Sequence, residues 1–158
     1  MKTNYLLPNK YKILGWILLV LGLILGIYVY SIGYESKMLT INVLSIFSSG
    51  DFIFDDKQEF FKIIENSIVD ELVALAIIFG GLIVGFSKEK IEDEFIYKLR
   101  KDSLIWAIIF NYAILTFTIA FVYNFTFFHI LVFNMFTPLL FFIIRFNFLK
   151  LKSNSHEE

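Results

Sequence analysis

Few residues in this 158-residue chain combine type and spacing in a way that does chemistry. Asp70 and Glu71 open one apolar run, and His129 opens another at a comparable depth. A carboxylate beside an imidazole can hold a metal or relay a proton. The plainer reading is a pair of acids at the membrane–water boundary and a histidine at a helix end. Asn111, Thr116, Thr118, Asn134, Thr137 and Arg145 are scattered through the last two apolar runs. Asn134, Pro138, Phe141 and Arg145 share one helical face, and the helical rise sets Thr118 near the level of Asn134 and Trp106 near Arg145. Such groups either hydrogen-bond between helices, at about 0.6 kcal/mol each, or line a site for a small ligand or ion. With no acid or base in mid-run, and Arg145 close enough to an end to reach water, interhelical bonding is the expectation.

The acidic triplet Glu92-Asp93-Glu94 resembles paired carboxylates. Consecutive helical residues diverge by about 100°, so the triplet reads as a solvated face. The chain has no cysteine, which removes disulfides and thiolate chemistry. Its two histidines are His129 and His156, the latter in a polar tail. Neither an HExxH nor a GxSxG pattern occurs. The expectation is a protein that is not an enzyme and carries no cofactor or metal. A net charge of −1 gives no reason to expect a nucleic-acid partner.

The elements that hold these residues are dominated by four apolar runs, Ile13–Tyr30, Ile68–Phe86, Leu104–Tyr123 and Phe127–Phe146. Each has about the 20 residues that carry a helix across roughly 30 Å of hydrocarbon. The chain is 58% hydrophobic, and its mean hydropathy is +0.71. These values predict an all-α membrane protein with a single domain over 1–158. It would have four transmembrane helices at 13–31, 67–87, 103–123 and 127–147. An outer loop would cover 32–66, a cytoplasmic loop 88–102 and a C-terminal tail 148–158. The first run, at about 18 residues, is longer than the 7–15 of a signal-peptide core and reads as an uncleaved anchor.

Basic residues set the orientation. Lys2, Lys10 and Lys12, then Lys88, Lys90, Lys98, Arg100 and Lys101, then Arg145, Lys150 and Lys152 fall on one side. They are 11 of the 14 basic residues, leaving Lys37, Lys57 and Lys62 for the other side. Both termini are therefore expected in the cytoplasm, with the chain in a bacterial inner membrane.

Two connecting segments carry local signals. In the outer loop, Met38–Phe47 fits a strand or a helix face equally. Ser48-Ser49-Gly50-Asp51 reads as a break. Asp56-Lys57-Gln58-Glu59 looks like an Asp variant of a capping box, so the second helix is expected to start near Asp56 and enter the membrane near Ser67. In the inner loop, Ile91, Phe95 and Leu99 recur every four residues, with Lys90, Glu94 and Lys98 as opposite-charge pairs at i,i+4. This predicts a short amphipathic helix between helices two and three, capped by Ser87 and lying in the membrane plane, with extension of helix two as the alternative. Lys90, Ile91, Glu94, Phe95, Lys98 and Leu99 are its expected partner-binding residues.

Small residues form stripes. Gly15, Gly22, Gly26 and Gly33 lie within roughly 40° of one another on helix one. Ala74, Gly81 and Gly85 share a face of helix two. In lipid such stripes let backbones approach, either within the chain or between copies in a homo-oligomer.

The stretch Phe86-Ser-Lys-Glu-Lys-Ile-Glu-Asp-Glu, followed by Leu99-Arg100 and Ser103-Leu104-Ile-Trp106, resembles a group of small uncharacterised bacterial membrane proteins. Asn134-Met-Phe-Thr-Pro138-Leu and Ile144-Arg145 fit the same group, so the resemblance covers roughly residues 60–148. It implies four membrane helices and no particular activity. The functional expectation is an accessory or signalling subunit that presents residues 88–102 to a membrane or cytoplasmic protein. The alternative is a small oligomeric transporter or channel, and a lipid-acting enzyme is a distant third.

Overall fold

The computed structural model describes residues 5–32, 39–49 and 58–154. Its elements run α1 (Tyr11–Ile32), β1 (Thr40–Ser49), β2 (Gln58–Ser67), α2 (Val69–Gly85), α3 (Glu94–Phe121), α4 (Phe125–Asn134) and α5 (Thr137–Asn154). They divide into two compact units, Met1–Gly22 with Ala76–Glu158, and Leu23–Leu75.

Two helices, α1 and α3, are long and apolar enough to cross a membrane, and α4 with α5 makes a third if the bent pair is one span. The second apolar run gives a helix of 17 residues, about 25 Å long. The fourth run is two helices bent by 43°. Pro138 explains the break: it has no N–H for the Asn134 carbonyl. The turn tightens instead. Phe136 N–H bonds the Phe133 carbonyl at 3.1 Å, and the Thr137 hydroxyl donates to the same oxygen at 3.3 Å.

The segment before α2 departs from the expected helix entry. Residues 58–67 pair antiparallel with 40–49, Thr40 opposite Ser67 and Ser49 opposite Gln58. The aromatic and β-branched run Phe60-Phe61-Lys62-Ile63-Ile64 fits a pleated ladder better than a helix turn. Helix two therefore starts at Val69, past the capping-box pattern at Asp56–Glu59. The pairing skips Ile46 and Phe61, where Phe61 has φ +55°. Val43 faces Ile64 across the ladder and both are half-buried.

The predicted amphipathic helix between helices two and three is also corrected. Residues 88–93 are turn and coil, and the helix that follows is the start of α3 itself. Asp93 caps it, accepting from the Ile96 N–H at 2.8 Å. A carboxylate at that position satisfies an orphan donor and complements the helix dipole. Ser87 does not cap a helix; its hydroxyl donates back to the Ile83 carbonyl at 2.5 Å.

In the larger unit the buried residues form narrow stripes. Gly15, Leu19 and Gly22 of α1 meet Ile77, Gly80 and Val84 of α2. On α3 the stripe is Ile96, Arg100, Ser103 and Ala107. Phe142 and Phe146 of α5 are among the most buried side chains. The remaining helix faces expose large apolar residues such as Ile17, Leu21, Ile108 and Phe117. Hydrophobic surface of that extent suits lipid as the surrounding solvent.

Candidate functional site: a charged knot at one helix end

The most developed polar structure lies where the start of α1, the 86–93 loop, the start of α3 and the end of α5 meet. The N-terminal strap fixes the loop through backbone bonds: Leu7 N–H to the Phe86 carbonyl at 2.9 Å, and Lys88 N–H to the Leu7 carbonyl at 2.8 Å. Asn9 adds a side-chain bond to the Lys88 carbonyl at 2.6 Å. Within the loop, Glu89 N–H donates to Glu92 Oε2 at 2.9 Å.

Two ion clusters clamp this loop to the helices. Glu89 accepts from Lys12 on one oxygen and from Lys150 on the other, at 3.1 Å. Three segments far apart in sequence therefore converge on one carboxylate. Burial pushes the Glu89 carboxyl up, but the Lys12 and Lys150 ammonium groups outweigh it and hold the group below the ordinary carboxylate range. The second cluster is Arg100 with Glu92, at 2.5 and 3.0 Å. Arg100 also donates to the Ser87 carbonyl at 3.3 Å, and its guanidinium carbon sits 5.1 Å from the Phe146 ring centre. Arg100 is only 4% exposed. Its Nε and the neighbouring Ser103 Oγ are buried without a hydrogen-bond partner. Nearby, Arg145 pairs with Asp102 at 2.9 Å and lies over the Trp106 ring at 5.4 Å. This gives Arg145 a specific protein partner as well as access to the helix end.

Chemically, this arrangement orders a loop. Its acids are matched by bases, and no group of three or more His, Cys, Asp or Glu side chains among the described residues forms a metal site. Of the acidic triplet expected as a solvated face, Asp93 and Glu94 are exposed and Glu92 is not. Glu92 is half-buried against Arg100, and Asp93 is the α3 cap.

The residues expected to bind a partner are largely outward. Lys90, Glu94 and Lys98 are exposed, as are Ile91 at 77% and Phe95 at 52%. Leu99 is half-buried, and the buried apolar residue of this turn is Ile96. Ile91 precedes the helix, so the predicted Ile91-Phe95-Leu99 stripe is not one helical edge.

Gly15 and Gly22 touch helix two: an added Cβ would lie 2.7 Å from Ile83 Cγ2 and 2.9 Å from Ile77 Cγ1 respectively. Gly81 and Gly85 meet Leu139 and Phe142 of α5. These four are therefore engaged within the chain. Gly26 and Ala74 are half-buried, and Gly33 and His156 lie outside the described residues. Gly80, not among the expected packing residues, makes the tightest backbone approach, to Leu19 and the Gly15 carbonyl.

The polar residues expected within the membrane do not converge on one another through any hydrogen bond among the described residues. Thr118 is buried and donates to the Ile114 carbonyl at 2.9 Å. Thr116 donates to Tyr112 at 2.8 Å. Asn111 Oδ1 and Asn134 Nδ2 are buried without a partner. Asp70 and Glu71 open α2, where Glu71 accepts from Asn66 at 2.8 Å. His129 lies in α4, and the two acids belong to the smaller unit while His129 belongs to the larger.

No protein-family model matches the sequence, and no curated protein or solved structure is similar to it.

Proposed function

We propose that this is a small bacterial inner-membrane protein with four passes and both termini in the cytoplasm. It acts as a non-enzymatic accessory or signalling subunit that presents the 88–102 segment to a protein partner. The observation that carries this reading is the contrast inside one short segment. Residues 86–93 are held by part-buried ion pairs and a strand-like strap, yet Ile91 and Phe95 point outward. An ordered loop loses little entropy on docking, and each such side chain gains roughly 1.5–3 kcal/mol when covered.

The test uses the full chain in its membrane. Ile91→Ser with Phe95→Ser is expected to abolish co-purification of a partner while insertion is unchanged. Insertion and orientation are read by labelling a single cysteine placed at Ser49, which is expected to react from the outer side. Full partner recovery with the double variant would remove the main support for this reading. A second reading, a small oligomeric transporter or channel, draws on the α4–α5 break next to Asn134 and its unpartnered amide. Discontinuous helices with free polar groups are a common form of intramembrane site. Substrate-independent ion flux in liposomes would favour it.

A further inference from the structure

The charges at the knotted end are sorted. The bases that face inward, Lys12, Arg100, Arg145 and Lys150, take up Glu89, Glu92 and Asp102. Asp93 is used as the α3 cap. What remains outward is Lys10, Lys88, Lys90, Lys98 and Lys101, all exposed and none in an ion pair among the described residues. Against them stand two exposed acids outside any ion pair at this end among the described residues, Glu94 and the capping Asp93. A chain with a net charge of −1 therefore presents a cationic rim.

The rim sits at a defined depth. Helix α3 has 28 residues, about 42 Å, against a hydrocarbon core of roughly 30 Å. About 12 Å of it overhangs the core. The apolar run begins at Leu104, so the overhang is the Glu94–Ser103 end, with Lys98 and Lys101 one turn apart on the same side. Trp106, stacked under Arg145, lies where aromatic side chains gather at membrane boundaries. Lys98 and Lys101 are thus at the level of the lipid headgroups, and Lys88 follows Ser87, whose carbonyl is bonded to Arg100 on the same turns of α3.

We propose that this rim binds the headgroups of anionic phospholipids, with Lys88, Lys98 and Lys101 as its principal contacts. The inference rests on the reading that α3 crosses the membrane. It shares the 88–102 segment with the proposed partner surface, and the variants below leave the apolar Ile91 and Phe95 of that surface unchanged. Lipid phosphates draw the rim into the interface, and the inward ion pairs keep the acids of the same loop from cancelling it. Each lysine near an anionic surface contributes roughly five-fold to affinity at moderate salt.

The experiment uses the purified full chain in nanodiscs of phosphatidylcholine and phosphatidylglycerol in equal parts, with retained lipids identified by native mass spectrometry. The wild type is expected to retain phosphatidylglycerol over phosphatidylcholine by about ten-fold or more, less as salt is raised. Lys88→Gln with Lys98→Gln and Lys101→Gln should bring the ratio near one, and the matching Lys→Arg variant should restore it. A wild type without preference overturns the proposal, as does a Gln variant that keeps it. If inorganic phosphate alone displaces the retained lipid at equal concentration, the rim is a small-anion site and the proposal also fails. Failure of the wild type to enter nanodiscs would instead count against the membrane reading beneath it.

Discussion

Arg100 and Glu92 hold each other through two parallel hydrogen bonds, Nη1 to Oε1 at 2.5 Å and Nη2 to Oε2 at 3.0 Å. The arginine side chain is 4% exposed and the glutamate 16%. The fork geometry of a guanidinium on a carboxylate is directional as well as strong. Desolvation offsets much of its attraction, so the pair specifies the loop conformation more than it adds net stability. Removing one partner is a different matter, because the other charge stays buried. Arg100→Ala and Glu92→Ala are each expected to lower stability by about 3–5 kcal/mol. The double variant Glu92→Met with Arg100→Met should lose less than either single alanine variant. Denaturant unfolding of the three variants in one detergent measures this, and a Met–Met loss larger than both alanine losses would contradict it.

Glu89 gives the loop a pH dependence of known sign. Burial raises its carboxyl, and the bonds and charges of Lys12 and Lys150 lower it further than burial raises it. A carboxyl depressed in the folded state binds fewer protons there than in the unfolded chain. Its contribution is complete above the unfolded value, about 4.3, and is lost as pH falls through the lower folded value. The melting temperature in detergent is therefore expected to drop on acidification below about pH 4.5. Glu89→Gln should start lower and lack that part of the slope. Parallel melting curves of wild type and variant from neutral to acid pH would refute the assignment.

The parts of this fold that were legible in the sequence are those whose signal is long and local. The apolar run from Ile13 to Tyr30 reads as a helix because no other structure satisfies that many backbone groups in hydrocarbon, and α1 spans Tyr11–Ile32. The stretch from Asp56 to Ser67 misled because its capping pattern is local while its ladder partner, Thr40–Ser49, lies in a segment readable two ways. At Pro138 the run composition hid a break that the residue's missing N–H enforces. The knot was the least legible. Lys12 and Lys150 meet on Glu89 from positions 77 and 61 residues away, and Glu92 reaches Arg100 at a separation of 8, which is not a helical-neighbour spacing. Ten charged residues between Lys88 and Asp102 were the available clue. Counting bases for orientation discards it, because that rule gives acids little weight.

Gly80 and Gly81 are adjacent but face different things, which makes them a sharp pair for testing the packing of α2. A Cβ on Gly80 would lie 2.5 Å from the Leu19 backbone nitrogen and 3.0 Å from the Gly15 carbonyl oxygen. Backbone of a neighbouring helix cannot turn aside, so α1 and α2 must separate. A Cβ on Gly81 would lie 2.5 Å from Leu139 Cδ2 and 2.8 Å from its Cγ, atoms of a side chain that can change rotamer. Overpacking costs about 1–3 kcal/mol, while replacing glycine by alanine inside a helix recovers about 1 kcal/mol. Gly80→Ala is expected to lose about 2 kcal/mol or more net, since the rigid clash exceeds the propensity gain. Gly81→Ala is expected to fall within about 1 kcal/mol of wild type. Thermal unfolding of both variants in the same detergent separates the two cases. Equal shifts would mean that α2 does not press its Gly80 backbone against α1.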